Sequence, residues 1–239
     1  MEFIDFSKKI FETNDIDPDY IFFINCKKDL SEDELFQMLK YKLLIYNLSS
    51  ELLYKEKIID YKNIKFGNER QKSKNYFPEW ERILLNIDFK RLKKFHNVDY
   101  RIFKKEFSKI KGMGNWACWK CADILDKVFE IKMKFDNSIF LEAYEYPLKG
   151  LLMLNNYPEE IKIYNDKNIF KKHISFAREI SSQIGKIGIW DSNNILELET
   201  LLCKYHSYKH NKYKIGNDLN HVRKIKEDKR LYKYHKYLP

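Results

Sequence analysis

Apolar residues recur at helical spacing through most of the long segments of this chain, and that periodicity limits it to a helical fold. In "LSEDELFQMLKYKLLIYNLSSELLYKEK", Leu35, Phe36, Leu39 and Leu43 fall at that spacing, and Ser31 with Glu34 makes a capping box at its start. In "DSNNILELETLLCKYHSY", Ile195, Leu198, Leu201 and Leu202 repeat the pattern. "PEWERILLNI" opens on Pro78, suited to the first turn of a helix, and "IFKKHISFAREISSQI" reads as another. "FKRLKKFHNVDYRIFKKEFSKI" suggests two short helices. "DIDPDYIFFINC" is a turn leading into a strand or a buried helix start. Residues 61–78 read as a loop, and "NNYPEEIKIYNDKN" as a surface connection.

No internal repeat, low-complexity stretch or dividing linker is visible, so the expected fold is mainly α, a single domain over residues 1–239. At 239 residues and 44% hydrophobic, the chain can bury a full core without a disulfide or metal staple. Four cysteines, Cys26, Cys118, Cys121 and Cys203, are too few for a disulfide scaffold and suit a reducing compartment. The N-terminus lacks a secretory pattern and no run is long enough to cross a bilayer, so the expected location is cytoplasmic.

A formal net charge of +10 with 16% aromatic residues fits a polyanion partner met through phosphate contacts and base stacking. An AT-rich coding genome would enrich lysine as well, so charge alone leaves nucleic acid open. There is no Walker or dinucleotide glycine loop, and no Cys–His or Ser–His–Asp signature.

The stretch "KIKGMGNWACWKCADILDKVF" places Gly112 and Gly114 directly before an amphipathic helix carrying Ala117, Cys121, Ile124, Leu125, Val128 and Phe129 on its apolar stripe. Glycines allow a tight turn and close backbone approach, Asn115 can cap the helix, and free N–H groups at its start can hold a phosphate. This is the arrangement of a helix–hairpin–helix grip on DNA, here about residues 101–130; a turn between packed helices would use the same glycines. Asp136 in "KFDNS" follows at the spacing where helix–hairpin–helix DNA glycosylases, which resemble this chain there, carry a catalytic aspartate. It could equally cap a helix.

Cys118 and Cys121, with Cys203 and His206, could supply a Cys3His zinc site by spacing, but Cys121 already belongs to the apolar stripe. His206 and His210, four apart, read as a solvated helix face.

The C-terminal stretch "NILELETLLCKYHSYKHNKYKIGNDL" resembles the amino acid:DNA transferases of bacteriophage thymine hypermodification. "DIDPDY", "FGNERQ", "GMGNWACWKCADILDKVF…FDNS" and "YPLKGLLML" agree in the same order. The resemblance implies a fold like the helix–hairpin–helix glycosylases. It also implies an enzyme acting on double-stranded DNA in which thymine carries a (pyro)phosphorylated hydroxymethyl group, where a free amino acid displaces the (pyro)phosphate. Matching positions are Glu69, Arg70, Gly112, Gly114, Trp116, Lys120, Ala122, Asp123, Asp136, Glu199, Thr200, Cys203, Lys204, Ser207, Tyr213, Gly216 and Asp218. Departures are His206 for a usual Lys, Tyr208 for a usual His and Asn217 for a common Lys. Apolar residues stand in the family at the positions of Cys118 and Cys121, which counts further against zinc.

Such chemistry needs a nucleophile stripped of its proton, cations for the departing phosphate and a base removed from the stack. The expected catalytic residues are Asp136, Glu199 and Lys204. Asp136 or Glu199 would take the proton or anchor the incoming ammonium, and Lys204 with Arg70 would stabilise the leaving group. Glu69, Arg70, Ser207, Tyr213 and Asp218 are the substrate- and phosphate-binding candidates. Gly112, Gly114, Asn115, Trp116 and Lys120 are the DNA-binding candidates, with Trp116 or Trp119 stacking at the flipped position. Mg²⁺ could assist the departing phosphate, and no metal-ligand set is assigned. A glycosylase that excises a modified base, or a silent DNA-binding relative, would use the same glycine turn.

Overall fold

The computed structural model describes residues 1–67, 70, 74–136, 145–159, 167–188 and 194–239. Eleven α-helices are described: α1 (Phe3–Glu12), α2 (Pro18–Cys26), α3 (Glu32–Ile45), α4 (Leu48–Lys55), α5 (Phe77–Leu85), α6 (Tyr100–Phe107), α7 (Asn115–Phe129), α8 (Glu145–Leu154), α9 (Lys167–Gly185), α10 (Asn194–Lys209) and α11 (Asn217–Arg223). Tighter 3₁₀ segments include Tyr61–Asn63, Phe89–Phe95, Lys224–Glu227 and Lys229–Tyr237. No strand occurs among the described residues, so the mainly α expectation holds.

The chain gathers into two compact units, one of residues 1–16 with 134–217, the other of residues 17–133 with 218–239. Neither is continuous in sequence.

In the second unit, the apolar run after Pro18 is helical. Asp17 turns the chain at φ 46°, Pro18 takes the first helical turn, and Phe22 and Phe23 are fully buried. The Ser31–Glu34 capping box forms as expected, with Glu34 N–H donating to Ser31 Oγ at 3.3 Å and Ser31 N–H to the Glu34 carboxylate at 2.8 Å. The long helix expected beyond it is two helices. Tyr46 stands at φ 54°, and Asn47 caps α4 by accepting from Ser50 N–H at 3.1 Å.

Helix α7 is the centre of this unit. Every residue from Ala117 to Val128 is buried, not only the apolar stripe. Each large apolar side chain buried in this way contributes about 1.5–3 kcal/mol. Trp119, fully buried and edge-on to Tyr100 at 5.4 Å, is therefore a core residue.

In the first unit, α10 is the buried spine. Ile195, Leu196, Leu198, Leu201 and Leu202 are all at most 2% exposed. Phe3 and Phe6 of α1 pack edge-on against Tyr205, with ring centroids 5.2 and 5.4 Å apart. Helix α8 crosses α10 so closely that a Cβ on Gly150 would lie 2.5 Å from the Leu202 carbonyl oxygen. Only glycine permits that approach.

Candidate functional site

Three of the sequence segments singled out above meet in the second unit. The glycine turn comes first. Gly112 has φ +85°, and a Cβ there would lie 2.6 Å from the Trp80 ring, so both the conformation and the space require glycine. Arg70 locks the turn from the other side. Its guanidinium donates to the Gly112 carbonyl at 3.1 Å and stands 4.9 Å from the Trp116 ring centroid and 5.8 Å from that of Trp80. Arg70 is 5% exposed, and Trp116, half-buried, is edge-on to Tyr46 at 4.7 Å.

Gly114, not Asn115, is the N-cap of α7, and as a glycine it offers no side chain to cap that helix start. Asn115 is the first helical residue, so its side chain cannot act from the capping position. Both Gly114 and Asn115 are exposed, leaving the positive end of the α7 dipole open to an anion.

Further along α7 the charges turn inward. Lys127 Nζ lies 2.9 Å from Asp17 and 3.0 Å from Asp123, and Tyr20 Oη donates to Asp123 at 3.1 Å. Lys120, expected to face a DNA backbone, is 5% exposed with Nζ 3.6 Å from Asp123. Burial and the neighbouring Asp123 carboxylate push the Tyr20 hydroxyl well above its ordinary range, which keeps it a neutral donor. Beside them, buried Lys42 is paired with Asp19 and lies 3.7 Å from Glu51. Burial drives the Glu51 carboxyl up to about 7 against the pull of Lys42.

The first unit brings together Lys204, Tyr213 and Asp15. Lys204 Nζ donates to Tyr213 Oη at 3.3 Å, Tyr213 Oη donates to the Asp15 carboxylate, and Gly216 N–H donates to the same carboxylate at 2.6 Å. Asp15 is fully buried and Lys204 8% exposed. Asp15 opens the "DIDPDY" stretch, yet nothing in its local sequence marks it as a partner of Lys204 and Tyr213. Glu199 is fully buried and accepts from Thr200 Oγ1 at 3.2 Å, so it is not a surface residue.

Asp136 is exposed, Ser207 and Asp218 are half-buried, and Glu69 lies outside the described residues.

Of the two histidines expected on a solvated face, His206 is buried and His210 is exposed. His206 is 4% exposed, its Nε2 is 2.8 Å from Glu159, and His210 Nε2 is 3.5 Å from the same carboxylate. Burial raises the Glu159 carboxyl, but the His206 hydrogen bond and the charges of His206, His210 and Lys149 bring it below its ordinary range. Cys118 and Cys121 are buried, and burial lifts the Cys118 thiol to about 11, away from the thiolate that a metal needs. Among the described residues they join no metal-ligand cluster.

Among the described residues, no helix is long and apolar enough to cross a membrane. The family model described as amino acid:DNA transferase matches residues 12–213. That span takes in Asp15, Arg70, the glycine turn, Lys204 and Tyr213. A putrescinyltransferase of Delftia phage PhiW-14 is 24% identical over 245 residues, covering 90% of this chain and 75% of the phage protein. The chain belongs to the amino acid:DNA transferase family and is a transferase acting on DNA.

Proposed function

We propose that the protein attaches an amine to the exocyclic carbon of a (pyro)phosphorylated 5-hydroxymethyluracil in DNA, with an amino acid or a polyamine as the donor. The carbon–oxygen bond to the (pyro)phosphate breaks, a carbon–nitrogen bond forms, and the attacking amine gives up a proton. The observation that carries this reading is the buried Lys204–Tyr213–Asp15 array, which holds a cation on a rigid helix within the family's C-terminal motif. The putrescine of the phage relative's name widens the donor from an amino acid to any primary amine.

In this reading, the net charge of +10 draws the duplex in, and the exposed Gly114–Asn115 start of α7 meets its backbone as a helix–hairpin–helix grip. Trp116 supports the space left by the flipped base. The family resemblance assigns Arg70 and Lys204 to the leaving (pyro)phosphate, and Tyr213, Ser207, Asp218 and Glu69 to phosphate and substrate contacts. Glu199 or Asp136 accepts the proton of the amine or anchors a second ammonium group on the donor. Lys120 supports α7 through Asp123.

The test is duplex DNA carrying 5-(pyro)phosphoryloxymethyluracil, incubated with the protein, a mixture of amino acids and putrescine, then digested to nucleosides and weighed. A nucleoside heavier by one amine residue identifies the donor. Free base with abasic sites would assign the glycosylase reaction in its place, and unchanged DNA would reduce the protein to a binder.

A further inference from the structure

We propose that Glu159, His206 and His210 form a binding site for one divalent transition-metal ion of the zinc type. None of the three is among the residues assigned to the transfer reaction.

The ligand set is assembled before any ion arrives. His206 lies in the last turn of α10 and His210 follows one residue past its end, four positions on, with His210 N–H still donating to the His206 carbonyl at 3.2 Å, so the two imidazoles share one face. Their rings lie 4.3 Å apart between centroids. The carboxylate comes from the segment after α8, which is held in place. Asn156 turns at φ 56°, and Tyr157 N–H closes back onto the Leu152 carbonyl at 2.9 Å, a Schellman end to the helix. Tyr157 then packs edge-on against His173 of α9 at 4.8 Å, and Pro158 stiffens the residue before Glu159.

The distances suit a metal. One ligand atom from each of the three residues lies within 4.8 Å of the others. A tetrahedral ion with bonds of about 2.0–2.1 Å separates its ligand atoms by about 3.3 Å. His206 Nε2 lies 2.8 Å from Glu159 Oε2 and His210 Nε2 3.5 Å from Glu159 Oε1, one imidazole on each carboxylate oxygen and both near that spacing.

The outer partners suit it as well. His210 Nδ1 lies 2.8 Å from the His206 carbonyl oxygen, so the proton is assigned to Nδ1 and the Nε2 lone pair faces Glu159. The edge of the His206 ring is set by Tyr146 at 5.5 Å. Among the described residues, buried His206 Nδ1 has no hydrogen-bond partner, and the ring's polar contact is made through Nε2. His210, with 40% of its side chain exposed, gives the ion a path in and leaves the fourth position to solvent. Two imidazoles and one carboxylate select zinc, cobalt or nickel over Mg²⁺, which prefers oxygen ligands and near-octahedral geometry.

The experiment is a titration of the intact protein, freed of metal by chelation, with Co²⁺ alone, followed by displacement with Zn²⁺. The expected result is one Co²⁺ per chain with the intense visible spectrum of a tetrahedral nitrogen and oxygen site, bleached by Zn²⁺, and a rise in thermal midpoint with Zn²⁺. His210→Ala and Glu159→Gln, both partly exposed positions, should fold and lose the spectrum. A weak octahedral spectrum, a thiolate charge-transfer band, or a spectrum unchanged in both variants would overturn the proposal.

Discussion

The Tyr213 hydroxyl donates to the Asp15 carboxylate across 198 positions of sequence, and its oxygen accepts from the Lys204 ammonium at 3.3 Å. One hydroxyl thus separates and connects two buried charges. Tyr213→Phe removes both contacts and keeps the ring. The expected loss is about 1–3 kcal/mol, the cost of leaving buried polar groups underbonded, read as a lower urea midpoint. A variant as stable as the wild type would show that the hydroxyl does not hold these charges.

The two glycines of the turn should separate cleanly. Gly112→Ala must adopt φ +85° with its Cβ against the Trp80 ring, so a loss of about 3 kcal/mol or more is expected, with the Arg70 contact disturbed. Gly114→Ala meets nothing within 4 Å and should cost at most about 1 kcal/mol. Denaturation of the pair checks this, and equal losses would contradict it.

Glu51 links stability to pH. Its folded-state value of about 7 lies above its ordinary 4.5 because the carboxyl is buried. A raised acid stabilises the fold fully below the unfolded value and loses that contribution as pH climbs through the folded one. Against Glu51→Gln, the wild type should therefore lose on the order of 3 kcal/mol between pH 5 and pH 8, at about 1.4 kcal/mol per pH unit of separation. The difference in urea stability between the two proteins across that range is the measurement; a flat difference would mean that Glu51 titrates as an ordinary carboxylate.

Transfer activity should fall in Arg70→Lys, because a point charge replaces the planar fork. A lost charged hydrogen bond of about 1.5–3 kcal/mol corresponds to roughly 10–100-fold in kcat/KM for the modified DNA. Circular dichroism must be unchanged for that loss to count, since Arg70 also pins the glycine turn. Glu199→Gln should lower kcat at saturating amine. Full activity would remove Glu199 from the chemistry and leave Asp136 as the candidate.

Local signals in the sequence translated well into structure. The Ser31–Glu34 box, Pro78 at the start of α5 and the apolar spacing of α10 depend on neighbours a few residues apart, and each is where the periodicity places it. The break at Tyr46 was not legible, because its cause is remote. Gly67 N–H donates to the Ile45 carbonyl at 2.9 Å, and a Cβ on Gly67 would sit 2.2 Å from the Tyr46 oxygen, so a later segment closes onto the break.

The same rule explains the site residues. The inward turn of Asp123 and Lys127 depends on Tyr20 and Asp17, 103 and 110 positions from their partners, and local sequence does not show it. His206 and His210 look solvated until Glu159 arrives. Charge patterning shows that a pair is needed but not where its other half lies.

The division of the chain has a consequence for its synthesis. Helix α1 leaves the ribosome long before α10, against which it packs, and the contact between Met1 and Tyr205 spans 204 positions. At about 5–20 residues per second, Phe3, Phe6, Ile10 and Phe11 wait roughly 10–40 s in the cell before that helix emerges. Residues 17–133 can begin to collapse in that interval. A nascent chain stalled before α10 therefore carries an unburied aromatic helix, a natural client for a chaperone.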